Sequence, residues 1–332
     1  MLKNMMRPPA NKRRLVVMLL LAIFVVSGLV GVNISRAATY VSQVEAEAGM
    51  KAGNATAGPS EGASGNASVK FGSAAGCVLP KYPDASCTGV PAGTQLTTYT
   101  PTGNITIDTP NTVIEGKEIN GCVGVLAPGV VIKRSRINCT GVRTAVLISD
   151  VRTQDGAVRL SSVTLEDTEV NCNAEATGVE GHDVTLRRSL VQGCTFAVRG
   201  QDNLVVEDSF IRQLRRPANA TTPVATGVHT PTSTARNARI QHNTIDATDG
   251  SSGINVSTQK TGSQVSITSN HIINGVWSIN CPFNSSVNPV GSVRIVGNRF
   301  TSAAPKSDIL FNCADEIEVR DNAYFANGNP IP

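Results

Sequence analysis

Val163-Thr164-Leu165-Glu166-Asp167-Thr168-Glu169-Val170 is followed by Val184-Thr185-Leu186-Arg187-Arg188-Ser189-Leu190-Val191, then by Leu204-Val205-Val206-Glu207-Asp208-Ser209-Phe210-Ile211. The three octapeptides share one form: apolar, any, apolar, two polar, Ser/Thr/Asn, any, apolar. The form opens again at Thr112, Val130, Ala238, Val265, Val293 and Ile317, which makes nine copies. Successive openings are 18, 33, 21, 20, 34, 27, 28 and 24 residues apart. A floor near 20 residues with irregular excess describes one structural turn per copy, with loops of varying length between turns. Repeats of this period predict a solenoid.

A second phrase follows the first in most repeats and reads small, apolar, variable. It runs Gly124-Val125-Leu126, Ala145-Val146-Leu147, Gly178-Val179-Glu180, Ala197-Val198-Arg199, Gly227-Val228-His229, Gly253-Ile254-Asn255, Ser278-Ile279-Asn280 and Leu310-Phe311-Asn312. A third apolar position follows the Ser/Thr/Asn of the first phrase: Ile137, Val170, Val191, Ile211, Ile245, Ile272. Three short strands per turn predict an all-β, single-stranded, right-handed parallel β-helix of about nine turns, with equivalent residues stacked roughly 4.8 Å apart.

Stacking predicts ladders. The sixth position of the first phrase reads Lys117, Ser135, Thr168, Ser189, Ser209, Asn243, Asn270, Asn298, Asn322, and its four asparagines predict an amide ladder. The two preceding positions alternate in sign, Lys133/Glu166/Arg187/Glu207 beside Arg134/Asp167/Arg188/Asp208. Such charges support neighbouring strands and need no ligand.

Composition agrees. Charged residues make up 16% of the 332 and aromatics 4%, so the chain lacks the basic stripe with interleaved rings that a nucleic-acid partner wants. Lys3, Arg7, Lys12, Arg13 and Arg14 precede an apolar run from Leu15 to Ile34, and small residues follow at Ser35, Ala37 and Ala38. Residues 1–37 therefore read as a secretory signal peptide cleaved after Ala37, or as an N-terminal membrane anchor facing outward. They hold six of the 29 Lys and Arg and none of the 25 acidic residues, so the basic pI belongs to the leader. Residues 38–76 read as an Ala/Gly/Ser-rich linker. Within them Val44 to Gly49 and Gly62 to Gly72 resemble the opening of a β-sandwich carbohydrate-binding module.

All eight cysteines lie beyond the leader, an even count that predicts disulfides in an exported chain. Cys77 and Cys87 enclose a short loop, expected to cap the first turn of a β-helix spanning 77–332. Rung stacking then pairs Cys122 with Cys139, Cys172 with Cys194 and Cys281 with Cys313. Cys139 with Cys172 competes, since those two share register more closely.

The Gly89-Val90-Pro91-Ala92-Gly93-Thr94 segment, Val113-Ile114-Glu115-Gly116 and the repeats are similar to secreted bacterial β-helix proteins of the pectate-lyase-like superfamily. The resemblance covers about residues 77–326 and implies the fold. No stretch matches a lyase catalytic signature.

Chemistry is expected in the second phrase, whose small residues would form a solvent-facing floor. Its variable column changes from Leu126 and Leu147 to Glu180, Arg199, His229 and Asn255 on consecutive rungs, and His182-Asp183 is expected to stack on Gln201-Asp202. For a polysaccharide lyase, Arg199 would be the base, with Glu180 and His229 beside it. Asp183 and Asp202, with Glu180, would bind Ca²⁺ or a substrate carboxylate, and Asn255 would bind substrate. For a glycoside hydrolase, two carboxylates must flank the bond. The competing reading makes Glu180–Arg199 an ordinary cross-rung ion pair on a non-catalytic, adhesin-like binding surface. His182, His242 and His271 read as surface or turn residues, and Trp277 as a cover over apolar surface or a platform for a sugar ring. The longest inserted loops, Ser149–Ser161 and Arg215–Ala225, are expected to wall that face. The expected protein is a monomer that binds, and as an enzyme would cleave, extracellular polysaccharide.

Overall fold

The computed structural model describes residues 55–59, 67–71 and 77–331, the last with breaks at 100–103, 142–143, 153–157, 173–174, 219–223, 232–236, 258–262, 282–290, 303–305 and 314–317. The leader and most of the linker lie outside the described residues. The chain divides into two compact units, Met1–Ser73 and Ala74–Pro332. In the first, Ala55–Pro59 pairs antiparallel with Ala67–Phe71.

The second unit is a right-handed parallel β-helix built from three long parallel sheets. Sheet A has nine strands and carries the first phrase: Ile114, Ile132, Leu165, Leu186, Val206, Ile240, Ile267, Ile295 and Val319 stand in one register. Sheet B has ten strands and carries the third apolar position. Sheet C has nine and carries the second phrase. Alternation sends Leu165, Val170 and Val179 of one turn into the same core, each fully buried. Leu186, Val191 and Val198 repeat the arrangement one rung on.

The A-to-B corner explains the conserved form of the phrase within this chain. Gly116, Arg134, Asp167, Arg188, Asp208, His242, Ser269, Gly297 and Asp321 all adopt left-handed φ, between 45° and 68°. Each bends the chain in one residue, at about 1–2 kcal/mol for a non-glycine. From Ser135 onward the next residue turns its side chain inward and offsets that cost. Thr168 N donates to Ser189 Oγ and Ser189 N to Ser209 Oγ, both at 3.1 Å. Ser209 N donates to Asn243 Oδ1 at 2.9 Å, and the Asn243, Asn270, Asn298, Asn322 amides continue the chain at 3.0 Å per step. The main-chain N–H that the bend removes from the sheet thus finds a side chain of the next rung. The outward charges are structural as expected: Arg188 bonds Asp167 at 2.8 Å, and Arg239 bonds Glu207 at 2.7 Å.

The four disulfides are Cys77–Cys87, Cys122–Cys139, Cys172–Cys194 and Cys281–Cys313. The last three span Cα distances of 4.7 to 4.9 Å, one rung. Cys139 and Cys172 are indeed in register in sheet B, yet each bonds elsewhere.

The Cys77–Cys87 loop does not cap the first turn. It lies along the flank of the middle and late rungs. Gly89 N donates to Arg188 O at 2.9 Å, and the Lys81 carbonyl meets His242 Nε2 at 3.1 Å. The Tyr82 ring sits 5.4 Å from His271 and 6.1 Å from Phe325. His242 and His271 are therefore buried beneath a strap, not surface residues. The Asp208 carboxylate raises the pKa of His242, while burial pushes His271 down to about 4.

Candidate functional site

Sheet C places two columns side by side on its outer face. Inward, Val179, Val198, Val228, Ile254 and Ile279 share a register and are fully buried. One residue on, Leu147, Glu180, Arg199, His229, Asn255, Asn280 and Phe311 stack in that order. The structure thus brings Glu180, Arg199, His229 and Asn255 together as expected. It corrects both ends of the column: Gly124, not Leu126, pairs with Leu147, and Phe311, not Asn312, pairs with Asn280. A neighbouring column runs Thr177, Phe196, Thr226, Ser252, Trp277. The small residues between the columns form no solvent floor. A Cβ on Gly227 would lie 2.5 Å from Ile245 Cγ2, and one on Gly253 would lie 2.6 Å from Ile272 Cγ2. They are small because sheet B packs against them.

Electrostatics divide the face. Arg199 Nη1 donates to Glu180 Oε1 at 3.1 Å, and Thr144 Oγ1 donates to Glu180 Oε2 at 2.9 Å. The guanidinium lies 5.9 Å from the centre of the Phe196 ring, which stacks on His229 at 5.7 Å. Burial, with Arg199 adding to it, pushes the His229 pKa down to about 4, so the imidazole is neutral at pH 7. Beyond it the columns carry no charge. Asn255 Oδ1 accepts from Ser257 Oγ at 2.7 Å. His229 Nδ1, Ser252 Oγ and Asn280 Oδ1 are buried and have no hydrogen-bond partner among the described residues. Ser252 is 1% exposed and Asn280 7%. Trp277 and Phe311 close the strip, stacked 4.6 Å apart at 12°.

Asp183 and Asp202 do not join this arrangement. The corner from Gly200 to Leu204 holds one residue more than that from Gly181 to Val184. In the sheet A register that pairs Thr185 with Val205, Asp183 therefore stands opposite Asn203. Its carboxylate is taken by Asn203 Nδ2 at 2.7 Å and by His182 Nδ1 at 2.8 Å, and His182 Nε2 reaches Asp150 at 2.8 Å. Among the described residues, the one group of three metal-ligand side chains is Cys77, Asp84 and Cys87, and its two sulfurs form a disulfide. Glu180, Asp183 and Asp202 are not such a group.

Phe196, Thr226, Ser252 and Phe311 are the residues that sequence reasoning missed. A partial signal was available for the first three: the residue before the small position is a hydroxyl or a ring in six consecutive repeats, from Thr144 to Trp277. A groove of about 390 Å³ on sheet A, lined by Asn203, Arg239, Gln264, Ser266 and Arg294, is the alternative location. Its arginines are both held by carboxylates, Arg239 by Glu207 at 2.7 Å and Arg294 by Glu318 at 2.6 Å. Comparison with protein families, with curated proteins and with solved structures finds no match in any of the three.

Proposed function

We propose that this protein binds extracellular polysaccharide along the outer face of sheet C and does not cleave it. The observation that carries the reading is a set of buried polar atoms without partners, Ser252 Oγ, His229 Nδ1 and Asn280 Oδ1, flanked by rings at Phe196 and Trp277. Such atoms cost about 1–3 kcal/mol each while unpaired. They are buried, so a ligand recovers that energy by displacing what covers them. Flat rings at either end suit the apolar faces of sugars. Four disulfides fit an oxidising compartment outside the cytosol.

Cleavage has less support. A base at Arg199 needs a guanidinium free to meet the substrate, and its Nη1 already donates to Glu180 Oε1 at 3.1 Å. A hydrolase needs two carboxylates, and Glu180 is the only one in the two columns.

The test incubates the protein with a panel of neutral and acidic polysaccharides, with and without Ca²⁺. Retention on immobilised glycan is measured beside ultraviolet absorbance for a lyase product and reducing ends for hydrolysis. Binding without product is expected, and Trp277→Ala is expected to weaken it at least about tenfold, the effect of one central anchor residue. Release of product would return the face to the enzymes. No retention on any glycan would overturn the reading.

A further inference from the structure

We infer that the ligand of this face is an uncharged, hydroxyl-rich glycan rather than a polyuronate or sulfated chain. The inference rests on the polysaccharide-binding reading and concerns the ligand class alone.

Its first ground is the hydrogen-bond sense of the unpartnered atoms. Asn280 Oδ1 is an acceptor, 7% exposed as a residue, and it requires a donor. An ionised carboxylate or sulfate has only acceptors to offer, whereas a sugar hydroxyl donates and accepts. Ser252 Oγ and the neutral His229 Nδ1 can each be satisfied by a hydroxyl as well.

The second ground is charge. Across the strands from Phe196 to Phe311 the two outer columns contain one charged side chain, Arg199, and Glu180 on the adjoining rung occupies it at 3.1 Å. The strip beyond it consists of hydroxyl, imidazole, amide and ring groups. A chain with one negative charge per sugar would lose hydration there and gain no cation in return.

The third ground is length. Phe196 and Trp277 lie three rungs apart in one column, roughly 14 Å at the usual strand spacing. Both rings are then in reach of one oligosaccharide lying parallel to the rod, with the polar atoms between them.

The experiment measures the affinity of the full chain for oligosaccharides of β-glucan and mannan, and for those of polygalacturonate and alginate, at low and high salt. Expected is salt-insensitive binding of a neutral glycan, with the polyuronates at least about tenfold weaker. Polyuronate binding equal to or tighter than neutral binding, and weakening with salt, would overturn the inference while leaving the polysaccharide-binding reading standing. Failure of both classes to bind would remove that reading and this one together. Glu180→Gln gives the independent arm, since it frees the Arg199 guanidinium. Polyuronate affinity should rise about threefold at low salt, the worth of an exposed ion pair. An unchanged value would show that Glu180 does not mask Arg199, and would remove the charge ground.

Discussion

Asn270→Ala is the sharpest test of the internal ladder. Asn270 is fully buried. Its Oδ1 accepts from both Asn243 N and Asn243 Nδ2 at 3.0 Å. Its Nδ2 donates to Ile240 O at 2.9 Å and to Asn298 Oδ1 at 3.0 Å. Truncation leaves Asn243 Nδ2 its bond to Val206 O at 2.8 Å, and Asn298 Oδ1 its bond from Asn270 N at 2.9 Å. The Asn243 main-chain N–H keeps no partner among the described residues. One stranded buried donor costs about 1–3 kcal/mol, and each weakened neighbour about 1 more. The expected loss is about 3–5 kcal/mol. Asn270→Ser should cost about half as much, because Ser209 in the same column both accepts Ser189 N at 3.1 Å and donates to Glu207 O at 2.8 Å. Hydrogen exchange at the Asn243 amide is the direct assay, with guanidinium unfolding beside it, since a long repeat array need not unfold in one step. Equal effects of Ala and Ser, or a loss below about 1 kcal/mol for Ala, would refute the ladder as the energetic partner of the left-handed bends.

Other outcomes follow from the same framework. Replacing Cys281 and Cys313 by Ser opens a link across 32 residues and should cost about 3–4 kcal/mol, read as a lower melting temperature. Gly227→Ala puts a Cβ 2.5 Å from both Gly253 O and Ile245 Cγ2, and should destabilise by about 1–3 kcal/mol in chemical unfolding. His229 and His271 both have folded pKa values near 4, below the ordinary 6.5. Their unfolded forms therefore take up protons first. Stability present above pH 6.5 should fall between pH 6.5 and 4 by roughly 2 kcal/mol per histidine, measured by melting across that range. His242 has the opposite sign, since Asp208 raises its pKa. Its contribution is present in acid and is lost as pH rises through the raised value, so Asp208→Asn should destabilise at pH 6 and not at pH 9.

Much of the scaffold was legible because its determinants are local and repeat. The third positions of the nine copies, Ile114 to Val319, stand in one register, the Ser/Thr/Asn column is the internal ladder, and three of the disulfides join adjacent rungs. What eluded the sequence depended on loop length and on distant contact. One extra residue in a corner moved Asp202 out of line with Asp183. A count of residues cannot tell a corner from a strand. The small residues of the second phrase were read as a floor because smallness alone does not say which side is crowded. His242 was read as a surface or turn residue: it does sit at a corner, but its burial was hidden because its partner Lys81 is 161 positions away.

A period near 20 residues, three apolar positions per turn and a polar sixth position admit a parallel β-helix and little else, so the rod is written in the chain. Which residues of that rod stand side by side on the outer face of sheet C came from tertiary structure alone. Phe196, Ser252 and Trp277 belong to repeats dozens of residues apart, and the sequence reading did not place them in one column. They are neighbours because parallel pairing brings each rung about 4.8 Å from the next. That pairing buries Ser252 and Asn280 while leaving Ser252 Oγ and Asn280 Oδ1 without a hydrogen-bond partner among the described residues.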